Sequence, residues 1–251
     1  MNKELENRLV IVTGGGAGIG RGIAEACHDA GARVVVGTLE GKLDYPGRDA
    51  IDCRQLDVAD ASSITSWVDA VIATHGPIDA LVNNAGVTIT DSFLSMSVEK
   101  LETLWSVNQR SVFLMTQAVA RTMSENGHSG SIVNIASNHA GATTAGYEMY
   151  AGTKAAIVAM TRAMAWSLGK HGIRVNSLSP GLTRTETIAA GPANEPETEA
   201  MFRTWHATGR YNSVAEVAKC AVFLLSDAST ALSGSDMLAD QGMSALLCAE
   251  L

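Results

Sequence analysis

Charged residues are scarce in this sequence. Only 18% of its 251 residues are Asp, Glu, Lys or Arg, and the acids outnumber the bases to give a net charge of −8. Such a chain lacks the cationic surface that binding to nucleic acid or to an anionic membrane requires. We therefore expect no nucleic-acid partner and no membrane partner.

Cysteines are few and scattered, at Cys27, Cys53, Cys220 and Cys248, without C-x-x-C spacing. This pattern gives little support to a zinc site or a disulfide framework and is typical of reduced thiols in a cytosol. No apolar run reaches about 18 residues, and the charged residues 1–8 contain no apolar core of a signal peptide. We expect a cytoplasmic protein that binds no metal and does not cross a membrane.

Hydrophobic residues, by contrast, make up 46% of the chain, and short apolar runs alternate with helical patterns along its length. Strands are predicted at 9–12, 31–37, 51–56, 78–82, 131–136, 174–178 and 235–239. Ser62 is predicted to cap one of the intervening helices, and one long helix is predicted over 98–125. The alternation predicts an α/β protein of the Rossmann type, a three-layer αβα fold around a doubly wound, seven-stranded parallel sheet. The length is compatible with a single domain over residues 1–251.

A glycine-rich turn follows the first predicted strand, with the sequence Thr13-Gly14-Gly15-Gly16-Ala17-Gly18-Ile19-Gly20. Small residues let a phosphate approach the backbone, and the free N–H groups and dipole of a helix start attract an anion. The turn between strand and helix therefore predicts a phosphate site. The alternative is a tight turn that only lets the strand and the helix pack.

Asn83-Asn84-Ala85-Gly86 follows the fourth predicted strand. Small polar residues at the carboxyl edge of a parallel sheet are typical of the ligand cleft in open α/β folds. Backbone capping of the loop is an alternative role for both asparagines, and the two roles are compatible.

Tyr150 and Lys154 lie four residues apart, so in a helix they share one face. Nearby positive charge favours phenolate and lowers the pKa of tyrosine, which suits a general acid/base for an alcohol or carbonyl. Ser137, at the end of the fifth predicted strand, is placed to hold the same substrate oxygen. Taken alone, the pair also fits a half-buried tyrosine beside a lysine whose charged end reaches water.

Two more segments bear on function. Asn108 lies inside the predicted helix 98–125, where it costs helix propensity, so it is either exposed or kept for a particular hydrogen bond. Residues 183–206 have no strong periodicity and contain Pro192 and Pro196. Such an insertion beside a cleft is typical of a mobile substrate lid, with an inert surface loop as the alternative.

In their order along the chain, the motifs of this sequence resemble those of the classical short-chain dehydrogenase/reductase family, and the resemblance covers essentially the whole chain. The matching pieces are Thr13-Gly14-x-x-x-Gly18-Ile19-Gly20, Asp57, Asn83-Asn84-Ala85-Gly86, Asn108, Ser137, Tyr150-x-x-x-Lys154 and Pro180-Gly181. The resemblance implies an oxidoreductase that transfers a hydride between a nicotinamide cofactor and a secondary alcohol, ketone or sugar-like hydroxyl. A nucleotide-binding regulator of the same fold and a dehydratase or epimerase that retains its cofactor are the alternatives.

The resemblance also assigns roles to individual residues. Tyr150 would be the acid/base, Ser137 would polarise the carbonyl, Asn108 would fix a relay water, and Lys154 would lower the Tyr150 pKa and hold the nicotinamide ribose. Cofactor contacts are implied for Gly14, Gly16, Gly18, Ile19, Thr38, Asp57, Val58, Asn84, Ala85, Gly86, Tyr150, Lys154, Pro180, Gly181 and Thr183. The candidates for the substrate pocket are His139, Tyr147, Thr88 and lid residues 187–205. His139 has the alternative of a solvated loop residue.

Cofactor choice depends on departures from the family pattern. NAD-preferring members carry an acid at the position of Thr38, and NADP-preferring members carry Arg or Lys at the position of Leu39 or Ala17. With no guanidinium there to hold a 2′-phosphate, we favour NAD(H) over NADP(H), and Lys42 or Arg48 would reverse the preference.

Assembly is a further implication of the resemblance, which suggests a homotetramer. Apolar residues on more than one face of the predicted helices at 98–125 and 150–169 suit a helix-on-helix subunit contact.

Overall fold

Nine strands and eight α-helices are present in the computed structural model, which describes residues 3–43, 50–191 and 194–245. The strands are β1 Leu9–Thr13, β2 Arg33–Thr38, β3 Ile51–Gln55, β4 Ala80–Asn83, β5 Gly130–Ile135, β6 Ile173–Pro180, β7 Thr183–Arg184, β8 Asn212–Ser213 and β9 Asp236–Ala239. The helices are α1 Gly18–Asp29, α2 Ala61–His75, α3 Val98–Leu104, α4 Ser111–Glu125, α5 Glu148–Leu168, α6 Glu186–Ala190, α7 Pro196–Thr204 and α8 Val214–Leu225.

The predicted seven-stranded parallel sheet is confirmed, with the strand order β3-β2-β1-β4-β5-β6-β9. Alternate residues of β1 enter different cores: Val10 and Val12 pack toward α1 and α8, and Leu9 and Ile11 toward α2 and α4. Both faces of the sheet are covered by helices, which explains why the central strand β1 is a continuous apolar run with all five residues buried. The strand order reverses beside β1, so the carboxyl ends of β1 and β4 border a cleft.

The long helix predicted over 98–125 is interrupted. Residues Trp105–Arg110 form a π-helical segment between α3 and α4, and Asn108 lies in it. A π-helical turn inserts one residue into the α-helical repeat and is frequent at functional sites. The apolar pattern continues on both sides of the insertion, so periodicity predicted a single helix.

The cap of α2 and the segment 183–206 differ in detail from what the sequence suggests. Asp60, not Ser62, caps α2, because its side chain accepts a hydrogen bond from the Ser62 N–H. Residues 183–206, for which the sequence shows no strong periodicity, contain β7, α6 and α7, and β7 pairs with β8. These elements have at most nine residues each, which is too short for a periodic sequence signal. Arg48 and Pro192 lie outside the described residues.

No helix in the described part of the chain combines the length and apolar character that crossing a bilayer requires.

Candidate active site

The glycine turn after β1 packs directly on the loop that leaves β4. Gly14 and Gly18 have φ angles of +67° and +54°, which residues with a side chain rarely adopt. A Cβ on Gly14 would lie 2.8 Å from the Ala85 Cα, and one on Gly20 would lie 2.2 Å from the Asn84 Nδ2. Glycine is therefore required where these two loops meet.

Hydrogen bonds hold the same two loops together. The Asn84 side-chain amide donates to the carbonyls of Thr13 and Gly14 at 3.1 and 3.0 Å, and the Thr13 hydroxyl accepts from the main-chain N–H groups of Asn84 and Ala85. Asn83 points the other way, into a buried chain of side chains with Thr116 and Asn134. The capping role considered for the asparagines is thus observed for Asn84, which is also at the cleft.

A cleft of about 800 Å³ opens beside these loops. Its lining includes ten of the residues predicted to contact a cofactor: Gly14, Gly16, Gly18, Ile19, Thr38, Asp57, Val58, Asn84, Ala85 and Gly86. It also includes Leu39 and Thr187, and three residues that the motifs did not single out: Glu40, Val107 and Thr185. The Thr38 hydroxyl accepts a hydrogen bond from the Gly41 N–H, which closes the turn after β2.

A second cavity of about 190 Å³ continues from the first and contains the predicted catalytic groups. Ser137, Tyr150 and Lys154 line it, as do Pro180 and Gly181. Both cavities are bordered by Ile19, Asn84, Gly86, Val87 and Thr88. The glycine turn and the tyrosine therefore face one continuous cleft.

Burial controls the protonation of Tyr150. It raises the pKa of the phenol above its ordinary value of 10.0, and hydrogen bonding with the Ser137 and Thr88 hydroxyls opposes this in part. Tyr150 is thus a proton donor at neutral pH. Sequence reasoning placed Thr88 only in the substrate pocket and missed its contact with the tyrosine, which the loop after β4 creates.

Lys154 is buried on the same helix, with its Nζ 5.7 Å from the centre of the Tyr150 ring. The ammonium donates to the Ile135 carbonyl at 2.9 Å, and burial lowers its pKa to about 8. The lowering of the Tyr150 pKa by Lys154, which the resemblance implies, stays a prediction.

Asn108 is buried and fully engaged. Its Oδ1 accepts from the Val87 N–H and its Nδ2 donates to the Val87 carbonyl, both at 2.8 Å, with a longer contact to the Thr153 hydroxyl. The side chain thus clamps the residue that precedes Thr88. Of the two roles considered, the particular hydrogen bond is the one observed.

His139 and Tyr147 form an aromatic wall next to Tyr150. Their rings stack at 4.5 Å, and both meet the Tyr150 ring edge-on, at 5.6 and 6.0 Å. The His139 Nδ1 hydrogen-bonds with the Thr143 hydroxyl, and burial lowers the pKa of the imidazole, so the ring is neutral at pH 7. His139 is half-buried.

Thr183 departs from its predicted place. Its side chain is buried and donates to the Gly181 carbonyl at 2.9 Å, and the residue does not line either cavity. Thr185, two residues later, does line the larger cleft and caps α6 through the Ile188 N–H. Within the described residues, no group of three or more His, Cys, Asp or Glu side chains is placed to hold a metal.

Known proteins are similar to this chain in sequence over nearly its whole length. Residues 14–244 match the family described as enoyl-(acyl carrier protein) reductase. The chain is 38% identical over 248 residues to carbonyl reductase (NADPH) 2 of Sus scrofa, which covers 96% of this chain and 98% of that protein. It is 36% identical over 245 residues to L-xylulose reductase of Bos taurus, with coverages of 96% and 98%.

A solved structure agrees over nearly all of the chain. The gluconate 5-dehydrogenase of Burkholderia cenocepacia, in complex with NADP and tartrate, superposes with a TM-score of 0.91 at 31% identity and covers 98% of both chains. The chain belongs to the classical short-chain dehydrogenase/reductase family. It is an NAD(P)-dependent oxidoreductase that acts on alcohol or carbonyl groups.

Replacement of Lys154 by methionine is predicted to stabilise the protein while removing activity. A pKa of about 8 instead of 10.5 costs the folded state about 3 kcal/mol at pH 7. Removing the hydrogen bond to Ile135 destabilises the variant by about 1 kcal/mol. The net expectation is that the free energy of unfolding of Lys154→Met is about 2 kcal/mol higher than that of the wild type.

The pH dependence of stability tests this cause. Between pH 8 and 10.5 the unfolded wild-type chain binds more protons than the folded one, so wild-type stability relative to the variant rises with pH across that window. Urea unfolding of both proteins at pH 7 and near pH 10.5 measures it. A variant that is less stable at pH 7, or a gain that does not shrink at high pH, would contradict the prediction.

Proposed function

We propose that this enzyme reduces a small polyhydroxylated ketone, or oxidises the matching alcohol, with Tyr150 as the acid/base. One observation carries the proposal: the Tyr150 hydroxyl meets the hydroxyls of Ser137 and Thr88 in the cavity that continues from the glycine-lined cleft. A substrate oxygen placed among these groups can accept one hydrogen bond and one proton.

The larger cleft fits a nicotinamide dinucleotide in size and chemistry. Its 800 Å³ lie within the range of cofactor sites. A Cβ on Gly16 would lie 3.2 Å from the Thr38 side chain, so glycine keeps the cleft open at that point. The turn at Gly18 and Ile19 would face the pyrophosphate, Asp57 and Val58 the adenine. When bound, the cofactor supplies or accepts the hydride.

The chain's own groups supply the proton transfer. In the reductive direction, the Tyr150 hydroxyl donates its proton to the substrate oxygen, and Ser137 donates a hydrogen bond to the same oxygen. In the oxidative direction, Tyr150 must first lose its own proton to water, and the resulting phenolate accepts the proton of the substrate hydroxyl. Lys154, one turn along α5, would hold the nicotinamide ribose hydroxyls, and Pro180 and Gly181 would border the nicotinamide.

Asn108 has a positioning role in this scheme. Because both donor hydrogens of its side-chain amide are engaged, a relay water would be bound by its main chain rather than by the amide. The clamp on Val87 also fixes the loop that presents Thr88 to Tyr150.

The polyhydroxylated class is supported from two sides. The wall formed by His139 and Tyr147 combines flat ring faces with polar edges, and neutral imidazole both donates and accepts hydrogen bonds. Two relatives carry names that refer to such compounds, L-xylulose reductase and a gluconate 5-dehydrogenase bound to tartrate. We infer that His139 and Tyr147 face the substrate and that residues 183–206 form a lid, since Thr185 and Thr187 already border the cleft.

NAD(H) is the cofactor we infer, although two relatives are named with NADPH or NADP. Thr38 and Leu39 leave no guanidinium at the end of β2, and the acidic Glu40 lines the cleft there and disfavours a 2′-phosphate. Lys42 also lines the cleft, and its positive charge would attract a 2′-phosphate and so favour NADP(H).

A tetramer is inferred from the surface of α4 and α5. A groove of about 500 Å³ lies between these helices, and Trp166 beside it is 91% exposed. An exposed tryptophan next to an apolar groove is typical of an interaction surface.

Cytoplasmic location stays a prediction, consistent with the free thiols of Cys27, Cys53 and Cys220.

Turnover of a substrate panel tests the proposed function. We expect keto sugars and small polyols to change the nicotinamide absorbance, and steroid alcohols or acyl substrates not to. Tyr150→Phe, which removes one hydroxyl and keeps the ring, is expected to lower kcat/KM at least about a hundredfold. Equal rates for this variant and the wild type would refute the acid/base role. Product formation without net cofactor change would indicate an epimerase or dehydratase instead.

Binding titrations test the cofactor preference separately from turnover. We expect NADH to bind more tightly than NADPH, measured by quenching of tryptophan fluorescence, and Lys42→Met to leave NADH binding unchanged. NADPH binding at least about tenfold more tightly, or about 1.4 kcal/mol, would overturn the inference.

Sedimentation tests the tetramer. The wild type is expected at four times the chain mass, and Trp166→Glu at one half or one quarter of that mass. Leu94→Glu, which changes an equally exposed residue in the loop before α3, serves as the control and is expected to stay tetrameric. A monomeric wild type would contradict the inference.

A further inference from the structure

A carboxylate of the lid lies on the phosphate-binding turn. Glu186, the first residue of α6, accepts a hydrogen bond from the Gly18 N–H through Oε2 at 3.2 Å. Its Oε1 pairs with the Arg21 guanidinium at 3.3 Å. The neighbouring Thr185 also touches the turn, since a Cβ on Gly18 would lie 3.3 Å from the Thr185 methyl. The lid and the turn are therefore joined at the amide where α1 begins.

That amide is an anion-binding group. Gly18 opens a helix of 12 residues, so its N–H has no partner inside the helix and carries the positive end of the helix dipole. A phosphate and a carboxylate compete for such a group because both are anionic oxygen acceptors. The Glu186 carboxylate occupies it from a position 168 residues along the chain.

The contact is also reversible. The Glu186 side chain is 61% exposed, and Arg21 has a second acidic partner in Glu25 at 3.1 Å. A surface ion pair of this kind contributes at most about 1 kcal/mol, so an incoming ligand can displace it. Next to a pyrophosphate, however, the same carboxylate would be repelled and would have to leave the turn.

We propose that the Glu186 carboxylate competes with the cofactor for the anion position of the glycine turn. By occupying this position, Glu186 holds the lid over the turn and lowers cofactor affinity. Dinucleotide binding displaces the carboxylate from Gly18 and frees the first residues of α6 to move. The proposal rests on the glycine turn as the pyrophosphate site and is independent of the substrate and of the NAD preference.

A purely structural role of Glu186 in α6 leads to a different prediction. An acid in the first turn of α6 favours that helix through its dipole, whatever it contacts. If this were the only role of Glu186, its neutralisation would leave cofactor binding unchanged or weaken it by loosening the lid. The direction of the change in affinity therefore separates the two roles.

Cofactor affinity of Glu186→Gln is the decisive measurement. Glutamine keeps the size and can still accept from Gly18, but it carries no charge. With the full-length protein we expect NADH and inorganic pyrophosphate to bind about threefold to tenfold more tightly than to the wild type. Glu197→Gln, which neutralises an exposed acid on α7 of the same lid, is the matched control and is expected to bind as the wild type does.

Salt dependence identifies the cause as charge. Near 1 M NaCl, where the Debye length is about 3 Å, the difference between Glu186→Gln and the wild type should fall below about twofold. Equal or weaker binding by Glu186→Gln at low salt would overturn the proposal. So would a gain of the same size in Glu197→Gln, because the effect would then come from the net charge of the lid.

Hydrogen exchange gives a readout that needs no cofactor. Without added ligand, amides 186–190 should exchange faster in Glu186→Gln than in the wild type, because the link to Gly18 is weakened. Unchanged exchange together with unchanged affinity would refute the proposal. If none of the three proteins bound NADH, the assignment of the cleft would fail, and the role of Glu186 with it.

Discussion

The close approach of two loops, the turn after β1 and the exit from β4, is the contact on which the site depends. Gly20 has no Cβ, so the Asn84 amide can lie against the turn and donate to the carbonyls of Thr13 and Gly14. One cleft then runs from the glycine turn to Tyr150, instead of two separate hollows. Because the strand order reverses beside β1, these loops border the cleft at the carboxyl ends of β1 and β4.

Burial then creates a cost at the catalytic end of this cleft. The pKa of Tyr150 is raised and that of Lys154 is lowered to about 8, so the surroundings disfavour the charged form of both groups. A site that excludes water strengthens each hydrogen bond to the substrate oxygen and at the same time destabilises the folded protein. Hydrogen bonding with the Ser137 and Thr88 hydroxyls partly offsets this effect for the tyrosine.

The sequence predicted the sheet and most of the cleft because both depend on local patterns. Apolar runs identify the strands, and parallel strands bring their carboxyl ends to one edge, so Ser137, Asn84 and the glycine turn had to meet. The π-helical insertion at Asn108 was missed because the apolar pattern continues on both sides of it. The contacts of Thr88 with Tyr150 and of Glu186 with Gly18 join residues 62 and 168 positions apart, and no local pattern reports such pairs.

The charge of the molecule explains why a single lid carboxylate can matter. The chain carries a net charge of −8, and Arg21, the cation next to the glycine turn, is already paired with Glu25 and Glu186. At the proposed site, attraction of a pyrophosphate would come largely from main-chain N–H groups and the helix dipole, each worth about 1 kcal/mol or less. An acid that occupies one of these amides removes a comparable amount. Under the role proposed for Glu186, cofactor affinity is a balance of small terms, in which this carboxylate acts with a sign opposite to that of the turn.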